Sequence, residues 1–164
     1  MNADYSTVDT PIGPFTTIVD DRSVVIASGW TDDLELLLPQ IHSTLKPESV
    51  RERAELGAVT DAVKAYHRGD LSAVDSVAVE QRSGPFLNHA WEVLRTIEPG
   101  DPVTYSEFAA RAGRPNSPRG AASACQRNAA ALFVPCHRVV RVGGALGGFR
   151  WGLDVKRWLI AHEE

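Results

Sequence analysis

Cysteine and histidine stand side by side at Cys136-His137, followed by Arg138 and enclosed by the apolar stretches Leu132-Phe133-Val134-Pro135 and Val139-Val140. The thiolate is the reactive form of cysteine, and a histidine and an arginine beside it make a positive environment in which the thiol should ionise more readily than a free one. Neighbouring side chains on an extended chain point to opposite faces, so adjacency alone does not aim His137 at Cys136, an objection that a base acting through a bridging water would meet. A cysteine hydrolase is one reading of such a pair; it would add an oxyanion hole and a deacylating water and turn over repeatedly. An inert, small buried hydrophobe is the other. The second cysteine, Cys125, has no base next to it in sequence and reads as a packing residue.

The elements that must position this pair follow from turn signals and periodicity. In the first third, Tyr5 to Val8, Phe15 to Val19 and Ser23 to Ala27 are short β-branched runs separated by Pro11-Ile12-Gly13-Pro14 and Asp20-Asp21, which predicts a small antiparallel sheet. The leucine-rich stretch Asp32 to Ile41 and the periodic stretch Glu55 to His67, closed by Gly69, read as helices, and Ser76 to Val79 as a further strand. Ser83-Gly84-Pro85 punctuates the chain, which divides it into an α/β domain over residues 1–83 and a mainly helical one over 84–164, an α+β fold. In the second half Phe86, Leu87, Ala90, Trp91, Leu94 and Ile97 share one helical face. Thr104-Tyr105-Ser106-Glu107 forms a capping box ahead of a helix stopped by Gly113, and Ser117-Pro118 opens another helix rich in alanine. Two helices joined through a glycine-containing turn outline a helix-turn-helix, although in a small helical domain that outline also serves plain packing. The second helix carries Gly120, Ala121, Ala122, Ser123 and Ala124 between Arg119 and Arg127, small residues that allow close approach and also simply favour helix. Trp30, Trp91 and Trp158 read as core anchors.

Charge separates the two halves. The chain has 17 Lys+Arg against 21 Asp+Glu, a net charge of −4, but residues 1–83 carry 7 against 14 and residues 84–164 carry 10 against 7. Between Asp101 and Arg150 stand Arg111, Arg114, Arg119, Arg127, Arg138, Arg141 and Arg150 with only Asp101 and Glu107 opposing them, which suits phosphate contact as well as a solvated basic face. No apolar run is long enough to span a bilayer, and the N-terminus lacks the features of a secretory signal, so a cytoplasmic protein with free thiols and no membrane partner is expected. Two cysteines and five scattered histidines offer no ligand cluster, and no metal is expected.

Pro135-Cys136-His137-Arg138-Val139-Val140 resembles the active-site signature of the O6-alkylguanine-DNA alkyltransferases; the similarity runs through the C-terminal half, and Thr7 to Phe15 is similar to that family's opening strands. The resemblance implies a ribonuclease H-like N-terminal domain with a mainly structural part, a helix-turn-helix in the second domain, and no cofactor. It implies direct-reversal DNA repair, in which the alkyl group of O6-alkylguanine, with O4-alkylthymine left open as a further substrate, passes irreversibly and stoichiometrically to Cys136. His137 would deprotonate the thiol through a water and Glu163 would orient that histidine. Tyr105 would donate to the departing guanine, Arg119 would fill the stack left by the flipped base, and Asn128 would tie the helix-turn-helix to the active-site turn. Ala121, Ala122, Ser123 and Arg127 would face the minor groove. Val139, Phe149, Arg150 and Trp151 would line the base pocket, the backbone around Cys136, Val139 and Arg150 reading the base edge. The implied partner is double-stranded DNA carrying alkylated guanine, bound by a monomer, with cooperativity along DNA left open.

Four positions depart from the commonest family pattern: Ala129 where proline is usual, Phe149 in place of tyrosine, Trp151 where many relatives have glycine, and Ser123 on the small-residue face. The bulk of Trp151 is expected to narrow the pocket and disfavour large groups such as benzyl.

Overall fold

The computed structural model describes all residues, 1–164. The chain forms two compact units, one of residues 1–82 with 129–133 and one of residues 83–128 with 134–164. Residues 129–133 thus leave the half of the sequence in which the division at Ser83-Gly84 places them.

In the first unit, β1 (Asn2–Thr10), β2 (Gly13–Val19), β3 (Val25–Gly29) and β4 (Ser49–Glu52) form one sheet in the order β3-β2-β1-β4. β1 and β2 make a hairpin in which Val8 faces Phe15 and Thr7 faces Thr16, their hydroxyl oxygens 2.7 Å apart. β2 and β3 are antiparallel with an irregularity at Ile18/Val19, and β4 runs parallel to β1 at the edge. Helix α1 (Ala58–His67) packs on β1 and supplies Val63 and Tyr66 to a fully buried core with Phe15, Ile18 and Leu37. Trp30 meets Phe15 edge-on, with centroids 5.0 Å apart. Its indole N–H donates to His67 Nε2 at 3.3 Å while His67 Nδ1 donates to the Val63 carbonyl at 2.7 Å, which fixes the histidine's tautomer.

The predicted helix over Asp32 to Ile41 is absent: the segment makes two 3-10 turns, Leu34–Leu36 and Leu38–Gln40. Pro39 has no N–H to give an α-helix, and its ring would meet the carbonyl four residues back. The predicted strand at Ser76 to Val79 reduces to a single parallel bridge, Val25 to Val79. β4 escaped the sequence reading because an exposed edge strand, Ser49-Val50-Arg51-Glu52, has no buried face and so no alternation to detect.

Residues 129–133 join this unit along β3. Ser28 N–H donates to the Ala129 carbonyl at 2.9 Å, Ser28 bridges Ala130 in parallel, and Ser28 Oγ donates to the Ala131 carbonyl at 2.7 Å. Ala129 N–H in turn donates to Gln81 Oε1 at 2.8 Å. Leu132, 1% exposed, then turns in the left-handed region at φ 77, a conformation costly for a residue with a branched side chain.

The second unit is helical. Helix α2 (Pro85–Leu94) buries Leu87, Ala90, Trp91 and Leu94, while Phe86 lies half-buried at its start. Helix α3 (Tyr105–Arg111) begins at a full capping box, Glu107 N–H to Thr104 Oγ1 at 3.1 Å and Thr104 N–H to Glu107 Oε1 at 3.0 Å. Helix α4 (Pro118–Gln126) is capped by Ser117 and held to α2 by the Trp91 indole N–H on the Ala124 carbonyl at 2.9 Å. β5 (Val103–Thr104) and β6 (Val139–Val140) form a short parallel pair, and helix α5 (Leu153–His162) ends the chain. Trp158 is half-buried and stacks on His162 at 4.4 Å, so it is not the core anchor its type predicts.

Ser28→Ala removes a fully buried hydroxyl and leaves the Ala131 carbonyl short of a donor, so urea denaturation of this variant should show a loss of about 1–3 kcal/mol.

Candidate active site

Cys136, His137 and Arg138 form a single 3-10 turn rather than an extended run, entered from Pro135 and left through β6. The turn removes the alternation expected of an extended chain, so the three side chains need not point to opposite faces. Cys136 is 8% exposed and its N–H donates to the Val134 carbonyl at 2.9 Å. Asn128 Nδ2 donates to the same carbonyl at 2.8 Å, and its side-chain amide also hydrogen-bonds to Cys136. Asn128, just past the end of α4, thus joins that helix to the turn that holds the thiol.

His137 is fully buried, and its Nε2 lies 2.9 Å from Glu163 Oε2. A carboxylate only accepts, so Nε2 carries the proton and Nδ1 is left with a free lone pair; Nδ1 is buried and has no hydrogen-bond partner in the protein. Glu163, the C-cap of α5, is shared. Arg138 grips it with two parallel bonds, Nε to Oε1 and Nη2 to Oε2, both 2.9 Å, and spends Nη1 on the Ile97 carbonyl at 2.7 Å. Gly100 packs against the same point. Its φ is +81, and a Cβ there would stand 2.8 Å from the Glu163 carbonyl oxygen, so only glycine fits.

The electrostatics correct one expectation. Burial pushes the Cys136 thiol above its ordinary value, outweighing the Asn128 hydrogen bond and the positive charges of Lys156 and Arg150 that pull it down. Arg138, expected to help ionise the thiol, is engaged with Glu163 instead. Burial also lowers His137, against the opposing pull of Glu163 and with a further push from Arg138 and Lys156. Glu163 behaves oppositely: burial would raise its carboxyl, but hydrogen bonds and charge from His137 and Arg138 hold it far below the carboxylate range. At rest the thiol and the imidazole are both neutral, beside an ionised Glu163.

Tyr105, the first residue of α3, is half-buried and pushed up to about 12 by burial and by the nearby sulfurs of Cys125 and Cys136, so its hydroxyl stays protonated. It lies against Gly147, where a Cβ would come within 3.1 Å of its hydroxyl oxygen. Cys125 belongs to this neighbourhood: burial raises its thiol well above the ordinary value, and its charge would act on Tyr105 and Lys156.

Lys156 was not singled out in the sequence. Its side chain is fully buried, with Nζ donating to the Val139 carbonyl at 2.8 Å and to the Gly148 carbonyl at 3.4 Å. Burial lowers its ammonium while the two cysteines raise it. The signal was available, since Lys156 falls on α5 between the apolar Val155 and Leu159 sides, yet a lysine in an amphipathic helix reads by default as solvated.

The small-residue face of α4 divides. Ala121, expected to face a groove, is fully buried with Ala124, because residues three apart share the packing face of this helix. Gly120 also serves packing, since a Cβ there would stand 3.0 Å from the Phe86 ring. Arg119 and Arg127 are exposed, and Ala122 and Ser123 half-exposed. Arg114, in the α3–α4 connection, lays its guanidinium 4.0 Å over the Phe86 ring. Val139, in β6, is fully buried; in the loop that follows, Phe149 and Trp151 are half-buried and Arg150 is exposed.

The chain is similar to known proteins over most of its length. A family model described as "6-O-methylguanine DNA methyltransferase, DNA binding domain" matches residues 85–164. A methylated-DNA–protein-cysteine methyltransferase of Shigella flexneri is 30% identical over 158 residues, 95% of this chain and 92% of that protein. One of Mycolicibacterium paratuberculosis is 32% identical over 171 residues, 98% of this chain and 92% of its own length. Among solved structures, Mycobacterium tuberculosis OGT in complex with DNA superposes with a TM-score of 0.79 at 28% identity, covering 98% of this chain and 92% of that one. The O6-methylguanine methyltransferase of the same organism gives 0.78 at 30% identity with the same coverage. The chain belongs to the methylated-DNA–protein-cysteine methyltransferase family.

Proposed function

We propose that this protein repairs double-stranded DNA by transferring the alkyl group of O6-alkylguanine to Cys136, each molecule acting once. The family's activity is methyl transfer from DNA to a protein cysteine, and of the two cysteines here only Cys136 shares a turn with a base. The observation that carries the assignment is the state of His137: its Nε2 is committed to Glu163 while its Nδ1 is buried and unpartnered, the position of a base that works through one water on the neighbouring sulfur.

In the reaction Sγ attacks the alkyl carbon in line with O6. The S–C bond forms as the C–O6 bond breaks, the thiol proton passes by way of water to His137, and the departing guanine takes a proton from the Tyr105 hydroxyl, which regains one from solvent. Ionised Glu163 stabilises the imidazolium formed in that step, with Arg138 holding the carboxylate in place. The protonated Tyr105 hydroxyl donates to the departing guanine. The product is a thioether, which neither water nor His137 can cleave, so the transfer is irreversible. Because the resting thiol is protonated, sulfur becomes a strong nucleophile only when a bound substrate lets the proton move.

DNA engagement follows from α3, its connection and α4 acting as a helix-turn-helix, with α4 in the minor groove. The outward residues Arg119, Ala122, Ser123 and Arg127 make the approach, and Ala121 supports it from inside. O6 is shielded within the stack, so the base must be flipped, and Arg119 takes its place. The loop from Gly147 to Gly152 with Val139 walls the pocket. On this reading residues 1–83 form a ribonuclease H-like unit with a structural part, and the protein works as a monomer in the cytoplasm, where thiols stay reduced. No helix is long and apolar enough to cross a membrane.

Intact-protein mass after incubation with duplex DNA containing O6-methylguanine should rise by one methyl in the wild type and not at all in Cys136→Ser; a wild type that binds the duplex yet gains no mass defeats the reading. Trp151→Gly should raise the rate of benzyl transfer relative to methyl transfer by about tenfold, the scale of one steric contact in an apolar pocket. The transfer rate should hold at pH 6.5 and fall only at lower pH, where the depressed His137 finally takes up a proton. Stability moves the same way. The unfolded chain protonates His137 near 6.5 and Glu163 near 4.5 while the folded chain resists both, so unfolding free energy, measured by urea denaturation at stepped pH, should fall below 6.5 and again below 4.5.

A further inference from the structure

The loop from Gly147 to Gly152 is pinned at three points, only two of which lie at the reactive centre. Gly147 rests against the Tyr105 ring and hydroxyl, and the Gly148 carbonyl accepts from Lys156 Nζ at 3.4 Å. The third pin leaves the pocket altogether: the exposed Arg150 side chain reaches back to α4, where Nη2 donates to the Gln126 carbonyl. Gln126 is the last residue of α4, so its carbonyl has no partner within the helix and lies at the negative end of the helix dipole, the place where a guanidinium is favoured. Gly147 and Gly152 both have positive φ, 75 and 103, so the segment between them is bounded by two turns that favour glycine.

We propose that Arg150 is a positioning residue that latches the pocket loop to the C-terminal end of α4, setting the width of the alkyl pocket from a contact made outside it. The inference rests on the reading of this loop as a pocket wall. Phe149 and Trp151 flank Arg150, so the latch fixes how far both aromatic side chains stand from the thiol. The same arginine places a positive charge where it is felt by Cys136. That charge would change all transfer rates in parallel, whereas the latch changes their ratio. It also joins the helix proposed to lie on DNA to the wall that limits the alkyl group, so an alteration on one is mechanically conveyed to the other.

The test uses the full chain with Arg150→Ala and with Arg150→Lys, which keeps a donor long enough to reach the carbonyl. Single-turnover rates are measured for benzyl and methyl transfer from duplexes that differ only at the lesion, so effects on DNA affinity cancel in the ratio. Arg150→Ala should raise the benzyl-to-methyl ratio about two- to tenfold, the range spanned by one hydrogen bond, and Arg150→Lys should return it toward wild type. A ratio unchanged in Arg150→Ala, or raised as far in Arg150→Lys, overturns the latch. Amide hydrogen exchange across Gly147 to Gly152 in the DNA-free protein is the second readout. It should quicken in Arg150→Ala alone, and equal exchange in all three proteins counts against the proposal even if the wild type transfers neither group, the result that would instead sink the functional reading.

Discussion

One carboxylate organises the second unit. Glu163 takes three hydrogen bonds, two from Arg138 and one from His137, in a place almost without solvent. An isolated carboxylate there would be strongly disfavoured, and an isolated guanidinium equally so; together they are tolerable because the fork geometry satisfies both and the Ile97 carbonyl takes a remaining N–H. The arrangement fixes more than charge. It joins the last turn of α5 to the 3-10 turn of Cys136, sets the tautomer of His137, and requires Gly100 to be a glycine so that the C-terminal backbone can approach. Loss of the carboxylate would strand a buried cation, which is why the same pair that fixes His137 also holds the fold around it.

Much of this was legible in the sequence where short-range rules decide the outcome. The capping box at Thr104 and Glu107, the serine cap and first-turn proline at Ser117-Pro118, and the hairpin around Gly13 are local devices with local signatures, and each lies where those signatures put it. The failures have a common cause in tertiary context. Ser49 to Glu52 is a strand only because β1 offers an edge, and Ala129 to Phe133 joins the first unit because Ser28 presents an N–H and a hydroxyl to it and Gln81 accepts from it. Leucines at Asp32 to Ile41 looked helical, but a single proline overruled them.

The site divides along the same line. Cys136 and His137 announce themselves by adjacency, whereas the state of the thiol depends on burial that no local pattern encodes, and burial reversed the expected direction. Ala121 shows the limit of reading a face from residue size, since small residues serve a packing interface as readily as a groove. Lys156 shows the converse: its ammonium is a structural donor to Val139 and Gly148, a role that depends on two carbonyls brought to it from elsewhere in the chain.

The neutral, covered thiol of Cys136 has a bearing on longevity. A protein that can react once gains nothing from a permanently ionised sulfur, because peroxides and stray electrophiles would consume it before any lesion arrived. Keeping the proton on sulfur, with an uncharged imidazole waiting beside it, makes the resting molecule chemically quiet. Reactivity is then a property of the complex rather than of the free protein, and what shields an unused molecule is the cover over its sulfur rather than the intrinsic chemistry of cysteine.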